Sequence, residues 1–516
     1  MIRRSSDLET RLEHLPLADA VAAIRDAALA SAERAAPVID RIPQPHRASA
    51  INLAHYLGLR ALDVREVQKQ LARRGLSSLG RCEAAVLPML DAVLGNLVLL
   101  DAAAANRPCP PAPSTQRDDG TITGLGDGQA RLDARSAAAL GPRPADRAVR
   151  VMVTMPTTAA DDPAFSLKCM NAGMDLARIN AAHDDAEVWS RMLGHVRAAS
   201  DATGRAVSVM MDLPGPKLRV ARVIDEKRKV IEKVRVRSGD ALLVLRHSTK
   251  RKAAPKGVIG VGVTLDGALR RIRPGDRVIF DDGKIEARVE RVEATGAACV
   301  VTRAPDRGAN LRQAKGVNLP DTAIDVPAVS DDDLAVLDGF GDRVDLVALS
   351  FARSPEDVDA LLDALTLRGL GHLGVVLKVE TREGFERLPE LLLALLRWPV
   401  SAVMVARGDL AVECGFERLA EVQEQVMWLC EASHTPAIWA TQVLEGLAKE
   451  GRPTRAEITD AAMGQRAECV MLNKGPHVVD AVRVLDDLLR RMAPHQRKKT
   501  PMLRALGVAR RTGGQP

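Results

Sequence analysis

Two short apolar segments in the second half of the chain end in charged side chains. The segment GVVLKVET ends in Lys378 and Glu380. The segment SAVMVARGDL ends in Arg407 and Asp409. Runs that are apolar on both faces predict strands of a parallel sheet covered by helices. Two carboxylates with a lysine and an arginine at the carboxyl ends of such strands favour a site for a divalent cation and an anionic substrate.

The spacing of these residues predicts that they share one rim. One strand–helix–strand unit separates Glu380 from Asp409, which places them on adjacent strands. Lys378 lies two residues before Glu380, so both side chains lie on the same face of their strand. A third segment, PAIWATQVLE, ends in Thr441 and Gln442 and repeats the pattern. Ordinary ion pairs between strand-end side chains are the alternative interpretation.

Eight strand candidates separated by helix-length segments predict an α/β protein with a closed (β/α)8 barrel, the TIM barrel. Amphipathic segments fill most of the gaps between these strands. The strand candidates cover residues 149–155, 174–180, 207–213, 344–351, 374–380, 402–409, 437–442 and 469–474.

The gap between residues 213 and 344 is far longer than a crossover requires. It contains β-like alternations separated by turn signals, among them SGD, PGD and DDG. We therefore predict a small all-β domain inserted after the third barrel strand. This domain could close over the site as a lid.

Differences in composition divide the rest of the chain into an amino-terminal extension, a linker and a basic tail. Apolar stripes at helical spacing predict a helical extension at the amino terminus, interpreted as a packing or assembly module. A following stretch rich in Pro, Gly, Ala, Asp and Arg is typical of a linker, and the basic tail is expected to be disordered. The predicted organisation is an extension at 1–101, a linker at 102–147, the barrel at 148–216 and 320–495, the lid at 217–319 and the tail at 496–516.

Composition also limits the class of protein. Of the 516 residues, 46% are hydrophobic and 27% are charged, which is typical of a soluble globular protein. The amino terminus lacks the apolar core of a signal peptide, and Asp91, Asn96 and Asp101 interrupt the most apolar stretch, which argues against a membrane span. Cysteines without a CxxC pair predict reduced thiols and a cytoplasmic protein. The net charge of +6 fits anionic substrates, whereas 2% aromatic residues argue against nucleic-acid binding.

A set of motifs extends over residues 149–492 in a fixed order. They read MDLARINAAH, MMDLPGPKLRV, FDDGKI, KGVNLPDTAIDVPAVS, LVALSFARS, LKVETREGFE, MVARGDLAVE, ATQVLEGL and GRPTRAEITDAA. This ordered set resembles the pyruvate kinase family. The resemblance implies a glycolytic kinase that transfers the phosphoryl group of phosphoenolpyruvate to ADP, giving pyruvate and ATP. It implies Mg2+ as the cofactor, with Mn2+ as an alternative, and we expect a homo-oligomer.

The resemblance also implies roles for individual residues. Glu380 and Asp409 match the metal ligands. Lys378 is expected to stabilise the moving phosphoryl group and the enolate left behind, and Arg178 to bind the transferred phosphate. Thr441 matches the threonine that helps deliver a proton to the enolpyruvate carbon. The matches for substrate and nucleotide binding are Arg178, Asn180, His183, Arg219, Lys315, Gly408, Asp409 and Thr441.

The chain departs from the family pattern around the potassium site. Ala182 stands where the family usually has a serine, and Lys217 stands in place of the glutamate of the GPE motif. In the family, a lysine there goes with independence from potassium. A tethered ammonium supplies the charge that the ion would bring, so we expect no potassium requirement. LNKGPH replaces the eighth-strand SGET, TMPT replaces a Gly-Pro in the first strand, and the chain is expected to lack the carboxyl-terminal effector domain of relatives.

Two other functions stay open. A metal-dependent lyase or aldolase of an oxo-acid would use Glu and Asp on a metal in the same kind of barrel. A noncatalytic regulator would bind phosphoenolpyruvate, or a partner protein through residues 1–101. The lid favours the kinase because a nucleotide must be covered, and the retained Lys378 and metal pair argue against a regulator.

Overall fold

Among the described residues, four helices build the amino-terminal part of the chain, which confirms the predicted helical extension. The computed structural model describes residues 12, 14–108, 122, 124–250, 252, 254–498 and 500–501. A Cβ atom at Gly58 would lie 2.6 Å from the carbonyl oxygen of Ala27, so glycine there allows the first two helices to approach closely. The four helices are α1 (Leu17–Ile39), α2 (Gln44–Arg60), α3 (Arg65–Arg73) and α4 (Val86–Ala104).

The helical extension packs into the core of the rest of the chain. Leu53 and Leu90 belong to the same buried cluster as Val426 and Trp439. The side chain of Asn52 donates hydrogen bonds to the carbonyl oxygens of Glu83 and Ala432 (2.7 and 2.8 Å) and accepts one from the backbone of Val86 (2.9 Å). These buried bonds join α2 to the start of α4 and to Ala432 in the barrel. The extension and the barrel therefore share one hydrophobic core.

Among the described residues, the helical stretch Glu83–Ala104 is long and apolar enough to cross a membrane, judged by length and composition alone. In this structure 44% of its most apolar window is buried inside the molecule. Leu90, Val93 and Leu97 contribute to the core, whereas Leu99 and Leu100 are exposed. The stretch has the partial burial of a core helix.

The predicted linker at 102–147 contains a helix, α5 (Asp127–Leu140), so the linker prediction is wrong for that part. Ala139 and Leu140 pack with the side chains that fill the barrel interior, and Arg135 donates a hydrogen bond to the Ser401 hydroxyl (2.9 Å). The Pro- and Gly-rich composition of the flanking residues conceals the signal of this helix in the sequence. Residues 109–121 and 123 of the predicted linker lie outside the described residues.

Three parallel strands precede the predicted insertion: β1 (Arg150–Thr154), β2 (Leu176–Asn180) and β3 (Ser208–Asp212). The insertion has its own apolar core, which includes Val261, Phe280 and Val301. It forms an eight-stranded sheet, in the order β13-β9-β10-β11-β7-β8-β4-β5, and a separate two-stranded ribbon of β6 and β12. Its strands are β4 (Val220–Ile224), β5 (Val230–Ile231), β6 (Lys233–Val236), β7 (Ala241–Leu245), β8 (Ile259–Val263), β9 (Arg277–Phe280), β10 (Ile285–Glu293), β11 (Gly296–Arg303), β12 (Ala309–Arg312) and β13 (Val317–Asn318).

Five more parallel strands close the barrel in the order β1-β18-β17-β16-β15-β14-β3-β2. All of the eight predicted strands are present, so the predicted TIM barrel is confirmed. The sixth prediction extended too far, because a helix begins at Arg407 instead of the strand continuing to Asp409. The closing strands are β14 (Leu346–Leu349), β15 (Gly374–Val379), β16 (Ser401–Ala406), β17 (Ala437–Ala440) and β18 (Cys469–Leu472).

Local capping fixes where the helices around the barrel begin. The carboxylate of Asp185 accepts hydrogen bonds from two backbone amides at the start of α7, and Thr454 with Glu457 forms a capping box at α15. The helices are α6 (Ala164–Ala172), α7 (Ala186–Thr203), α8 (Asp331–Phe340), α9 (Pro355–Leu367), α10 (Arg382–Glu386), α11 (Leu388–Leu395), α12 (Arg407–Cys414), α13 (Leu419–Ala432), α14 (Glu445–Glu450), α15 (Arg455–Met463) and α16 (Val478–Met492).

The described part of the predicted basic tail is ordered by pairing. The short strands β19 (Gln496–Arg497) and β20 (Thr500–Pro501) form a hairpin. Lys498 between them is buried and forms an ion pair with Glu468. Residues 499 and 502–516, on which most of the disorder prediction falls, lie outside the described residues.

His434 connects the extension to the barrel, and its burial leads us to expect that the folded protein loses stability in acid. Its ring nitrogens lie 2.9 Å from the Ser49 hydroxyl and 2.8 Å from the carbonyl oxygen of Ala84. Burial lowers the pKa of His434 from 6.5 to about 4. The unfolded chain therefore binds a proton that the folded chain does not, and stability falls as the pH drops from 6.5 towards 4. Between pH 7 and pH 5 this one group should remove about 2 kcal/mol from the free energy of unfolding.

Urea unfolding of the parent and of His434→Gln at pH 7 and pH 5 measures this contribution. The variant should lose less stability over that interval. The control is His247→Gln, at an exposed lid position, which should leave the parent's pH dependence intact. Equal pH dependence in the parent and in His434→Gln would contradict the prediction.

Candidate active site

A cavity of about 660 Å³ lies at the carboxyl ends of the barrel strands, between the barrel and the inserted domain. Parallel strands present their last side chains at one rim, which is why residues distant in sequence meet there. The structure brings together the residues that the sequence assigned to the site, with the exception of Arg407. The predicted residues that line the cavity are Arg178, Asn180, His183, Lys217, Arg219, Lys315, Lys378, Glu380, Gly408, Asp409 and Thr441.

Lys378, on β15, is the central buried cation of the cavity. Its ammonium lies 3.0 Å from Asp212 Oδ1, 3.0 Å from Glu380 Oε1 and 2.8 Å from the Ser350 hydroxyl. Burial alone would lower the pKa of Lys378, but the charges of Asp212 and Glu380 outweigh burial and raise it. The lysine is therefore held protonated and fixed in position.

Asp212 is a site residue that sequence reasoning missed. It is almost fully buried and accepts two hydrogen bonds from Arg178 at Oδ2 (2.8 and 2.5 Å), while its other oxygen faces Lys378. Arg178 also donates to the Thr154 hydroxyl (3.0 Å). Burial opposes the charged form of Asp212, but Lys378 and Arg178 overcome it and lower its pKa. The sequence contains a signal that could have identified Asp212, because this carboxylate ends an apolar run as Glu380 does.

The two predicted metal ligands lie close enough to influence each other. Glu380 is buried, and its Oε2 accepts a hydrogen bond from the Phe351 backbone (2.8 Å). Burial raises the pKa of Glu380, Lys378 opposes that rise and the charge of Asp409 adds to it. A cation between the carboxylates would relieve this cost, so the donor set fits a hard divalent ion. Within the described residues no group of three or more His, Cys, Asp or Glu forms a metal cage, so solvent and substrate would supply the remaining ligands.

Lys217 reaches into the same cavity from the start of the lid. Its ammonium lies 3.1 and 3.2 Å from the two carboxylate oxygens of Asp409 and 5.5 Å from the centre of the Phe351 ring. Ala182, the other departure from the family pattern, also lines the cavity. A permanent positive charge therefore stands next to a proposed metal ligand, beside a position that has no hydroxyl.

The wall contributed by the lid and by β2 is also positively charged. Lys315 forms an ion pair with Asp281 (2.7 Å), and the guanidinium of Arg219 donates to the Ala314 carbonyl oxygen (3.1 Å). Burial lowers the pKa of His183, and the nearby charges of Lys474 and Arg219 lower it further. Burial and the neighbouring cations therefore favour the neutral form of the His183 imidazole.

Backbone geometry at the end of β17 places Thr441 over the cavity. Thr441 has a φ of +72°, and a Cβ atom at Gly408 would lie 2.7 Å from Thr441 Cγ2. Left-handed backbone at a threonine is costly and persists only where surrounding contacts hold it. Arg407 supplies those contacts, because it donates to the carbonyl oxygens of Ala440 (2.8 Å) and Thr441 (2.6 Å).

Arg407 is not a cation of the cavity, as its place in the sequence had suggested. Its side chain pairs with Asp460 and stacks 4.5 Å from the Trp439 ring. The apolar run predicts a strand over residues 402–409, but β16 ends at Ala406. Since α12 begins at Arg407, the side chain turns behind the strand end and supports Thr441 instead.

An eight-stranded parallel barrel with a charged cavity at the carboxyl ends of its strands is the arrangement of a TIM-barrel enzyme. Residues 146–477 match the family model described as pyruvate kinase, barrel domain. The chain therefore belongs to the pyruvate kinase family, which confirms the resemblance found in its motifs. It is an enzyme of that phosphotransferase family, whose members use phosphoenolpyruvate and ADP and need a divalent metal.

Curated pyruvate kinases match the chain over similar lengths. The pyruvate kinase of Mycobacterium tuberculosis is 34% identical over 341 residues, covering 65% of this chain and 67% of the relative. That of Corynebacterium efficiens is 34% identical over 358 residues, covering 67% and 70%. A pyruvate kinase of Rattus norvegicus is 31% identical over 364 residues, covering 64% and 60%.

Proposed function

We propose that this chain transfers the phosphoryl group of phosphoenolpyruvate to ADP with Mg2+ and without potassium. The observation that carries the proposal is the buried Lys378, held between Asp212 and Glu380 and exposed to the same cavity as Asp409. Phosphoryl transfer depends on positioning and on neutralising charge that spreads over the phosphoryl oxygens. A fixed ammonium beside a carboxylate pair meets both needs.

The residues of the cavity have separate tasks in this mechanism. Arg178 and Lys378 bind the transferred phosphoryl group, and the backbone amides at the start of α12, around Gly408 and Asp409, donate hydrogen bonds to the substrate carboxylate. The bond between phosphorus and the enol oxygen breaks as a bond from a terminal ADP oxygen to phosphorus forms. Lys378 then stabilises the enolate oxygen that is released.

A proton on the methylene carbon of the enolate completes the reaction and gives pyruvate. Thr441 would relay that proton from water, because a threonine hydroxyl has no pKa near neutrality. Glu380 and Asp409 would hold Mg2+, which when bound supplies Lewis-acid charge for the transferring oxygens. On the nucleotide side, Asn180, His183, Arg219 and Lys315 would contact phosphates.

A lactate-dehydrogenase-coupled assay with phosphoenolpyruvate, ADP and Mg2+ tests the proposal. We expect ADP-dependent formation of pyruvate. Pyruvate released from an oxo-acid without ADP would favour a lyase or aldolase. Binding of phosphoenolpyruvate without turnover would favour a noncatalytic regulator.

The absence of a potassium requirement is a separate prediction. Lys217 already places a positive charge beside Asp409, and two like charges a few ångströms apart repel by ~1 to 4 kcal/mol, so the lysine should exclude the ion. Activity in potassium-free buffer should match activity in saturating KCl within about twofold, well below the tenfold change that ~1.4 kcal/mol brings. The measurement is the coupled assay at constant ionic strength, with a quaternary ammonium salt replacing KCl.

The Lys217→Glu substitution tests the converse, that removing the lysine charge restores a dependence on potassium. It places a carboxylate against Asp409, so activity should fall and should recover only in part with added potassium, because Ala182 still lacks the hydroxyl. Lys227→Glu, the same change on an exposed lid turn, should keep the parent's activity and salt response. A parent enzyme that is nearly inactive until KCl is added would show that Lys217 does not replace the ion.

A further inference from the structure

The charge of the chain is concentrated in the lid. Residues 217–319 contain 25 lysines and arginines against 12 aspartates and glutamates, a net charge of +13 in a chain whose net charge is +6. The rest of the molecule is therefore acidic. Such an excess on one domain exceeds what the substrate cavity uses, and it marks a surface for anionic partners.

Part of this charge is arranged in a regular row on the two-stranded sheet of β6 and β12. Lys233 and Arg235 are exposed, whereas Val236 is buried, so alternate residues of β6 face solvent. The antiparallel register places Arg312 directly opposite Lys233. Side chains two residues apart on a strand are separated by about 6.6 Å. We call the exposed side chains Lys233, Arg235, Arg237 and Arg312 the basic ribbon.

The basic ribbon lacks the internal pairing found elsewhere in the lid. Lys284 pairs with Asp281 (3.0 Å), and Lys315 pairs with the same carboxylate (2.7 Å). In the part of the chain that the structure describes, none of the four ribbon side chains forms an ion pair with a carboxylate. Like charges directly opposite each other on a sheet are destabilising, so the Lys233–Arg312 pair is unfavourable until an anion lies across it.

Two further features define what could lie on the basic ribbon. Arg312 also lines the substrate cavity, so the row of charge continues from the cavity mouth along the outer surface of the lid. Phe280 is the only Phe, Trp or Tyr among residues 217–319, and it is buried. The lid therefore offers no aromatic platform on which nucleic-acid bases could stack, which favours backbone charge as the basis of recognition.

We propose that the basic ribbon binds a linear polyanion of linked phosphates without bases, that is, an inorganic polyphosphate chain. The regular row of cations follows such a chain, and the continuity through Arg312 brings the bound chain to the mouth of the substrate cavity. Affinity arises from counterion release and falls steeply with salt.

The test is binding of fluorescently labelled inorganic polyphosphate to the full chain, followed by anisotropy at increasing salt. The double variant Lys233→Glu with Arg235→Glu should bind roughly tenfold or more weakly and should show a smaller salt slope. The control double variant Arg271→Glu with Arg273→Glu makes the same charge change at exposed lid positions away from β6 and should bind within about twofold of the parent. A thermal unfolding midpoint equal to that of the parent shows that each variant is folded. If the midpoint of the ribbon double variant is lower, the substitutions Lys233→Gln and Arg235→Gln are used in its place.

Three outcomes would overturn the proposal. Equal polyphosphate binding by the parent and the ribbon variants would show that the basic ribbon is not the binding site. An equal loss in the control double variant would show that only the net charge of the lid matters. Displacement of the label by single-stranded RNA at a lower phosphate concentration than unlabelled polyphosphate would show that bases are recognised.

Discussion

Replacing Lys378 with Met should lower kcat by about 1,000-fold or more, because one positioned group would be lost from both the phosphoryl group and the enolate. The same change should lower the free energy of unfolding by ~3 kcal/mol, since it leaves Glu380 buried without its cation, while Asp212 keeps Arg178. Coupled assays measure the first effect and urea unfolding at pH 7 measures the second.

The raised pKa of Glu380 supplies a further check on the Lys378→Met variant. Without the ammonium, Glu380 should take up a proton more readily, so lowering the pH should recover part of the variant's lost stability. Lys168→Met, an exposed lysine on α6, is the matched control and should behave as the parent. Near-normal turnover in a folded Lys378→Met variant would remove Lys378 from the mechanism.

Asp409→Asn should leave the fold intact and lower kcat at least ~100-fold, because a metal contributes several kcal/mol of charge stabilisation. The substitution is isosteric, and Lys217 keeps an oxygen partner for a hydrogen bond. Titration with Mg2+ should show a higher concentration for half-maximal activity as well as the lower kcat.

The control for Asp409→Asn is Asp338→Asn, an exposed carboxylate on α8 that pairs with Arg368. That variant should keep the parent's kcat and Mg2+ dependence. A folded Asp409→Asn enzyme with near-normal Mg2+-dependent turnover would show that the second metal ligand lies elsewhere.

The barrel and its rim could be predicted because the relevant signals are local. Each strand is predicted by an apolar run in the sequence. The alternation of side chains along a strand predicts that Lys378 and Glu380 lie on the same face. Asp212 ends the apolar run of β3 in the same way, but the sequence alone does not distinguish it from an ordinary strand-end carboxylate. Its importance lies in the pairing with Arg178 and Lys378, which only the closed barrel shows.

Other features depend on where elements begin and on distant contacts. The orientation of Arg407 depends on whether β16 continues or α12 starts, and strand and helix ends are the least determined part of a pattern. The core shared by the extension and the barrel could not be predicted, since apolar stripes on a helix do not identify the partner that covers them. The replacement of potassium by Lys217 stays a prediction.

The shared core also determines when the molecule can fold during synthesis. Asn52 bonds to Ala432, 380 residues later, and Ser49 meets His434 across 385 residues. At ribosomal rates of about 5 to 20 residues per second, the first helices wait roughly 20 to 80 s for the surface that covers them. Contacts this distant slow the final folding step and leave apolar helices exposed in nascent chains. Yield in a host cell should therefore depend on chaperone supply more than the stability of the finished enzyme suggests.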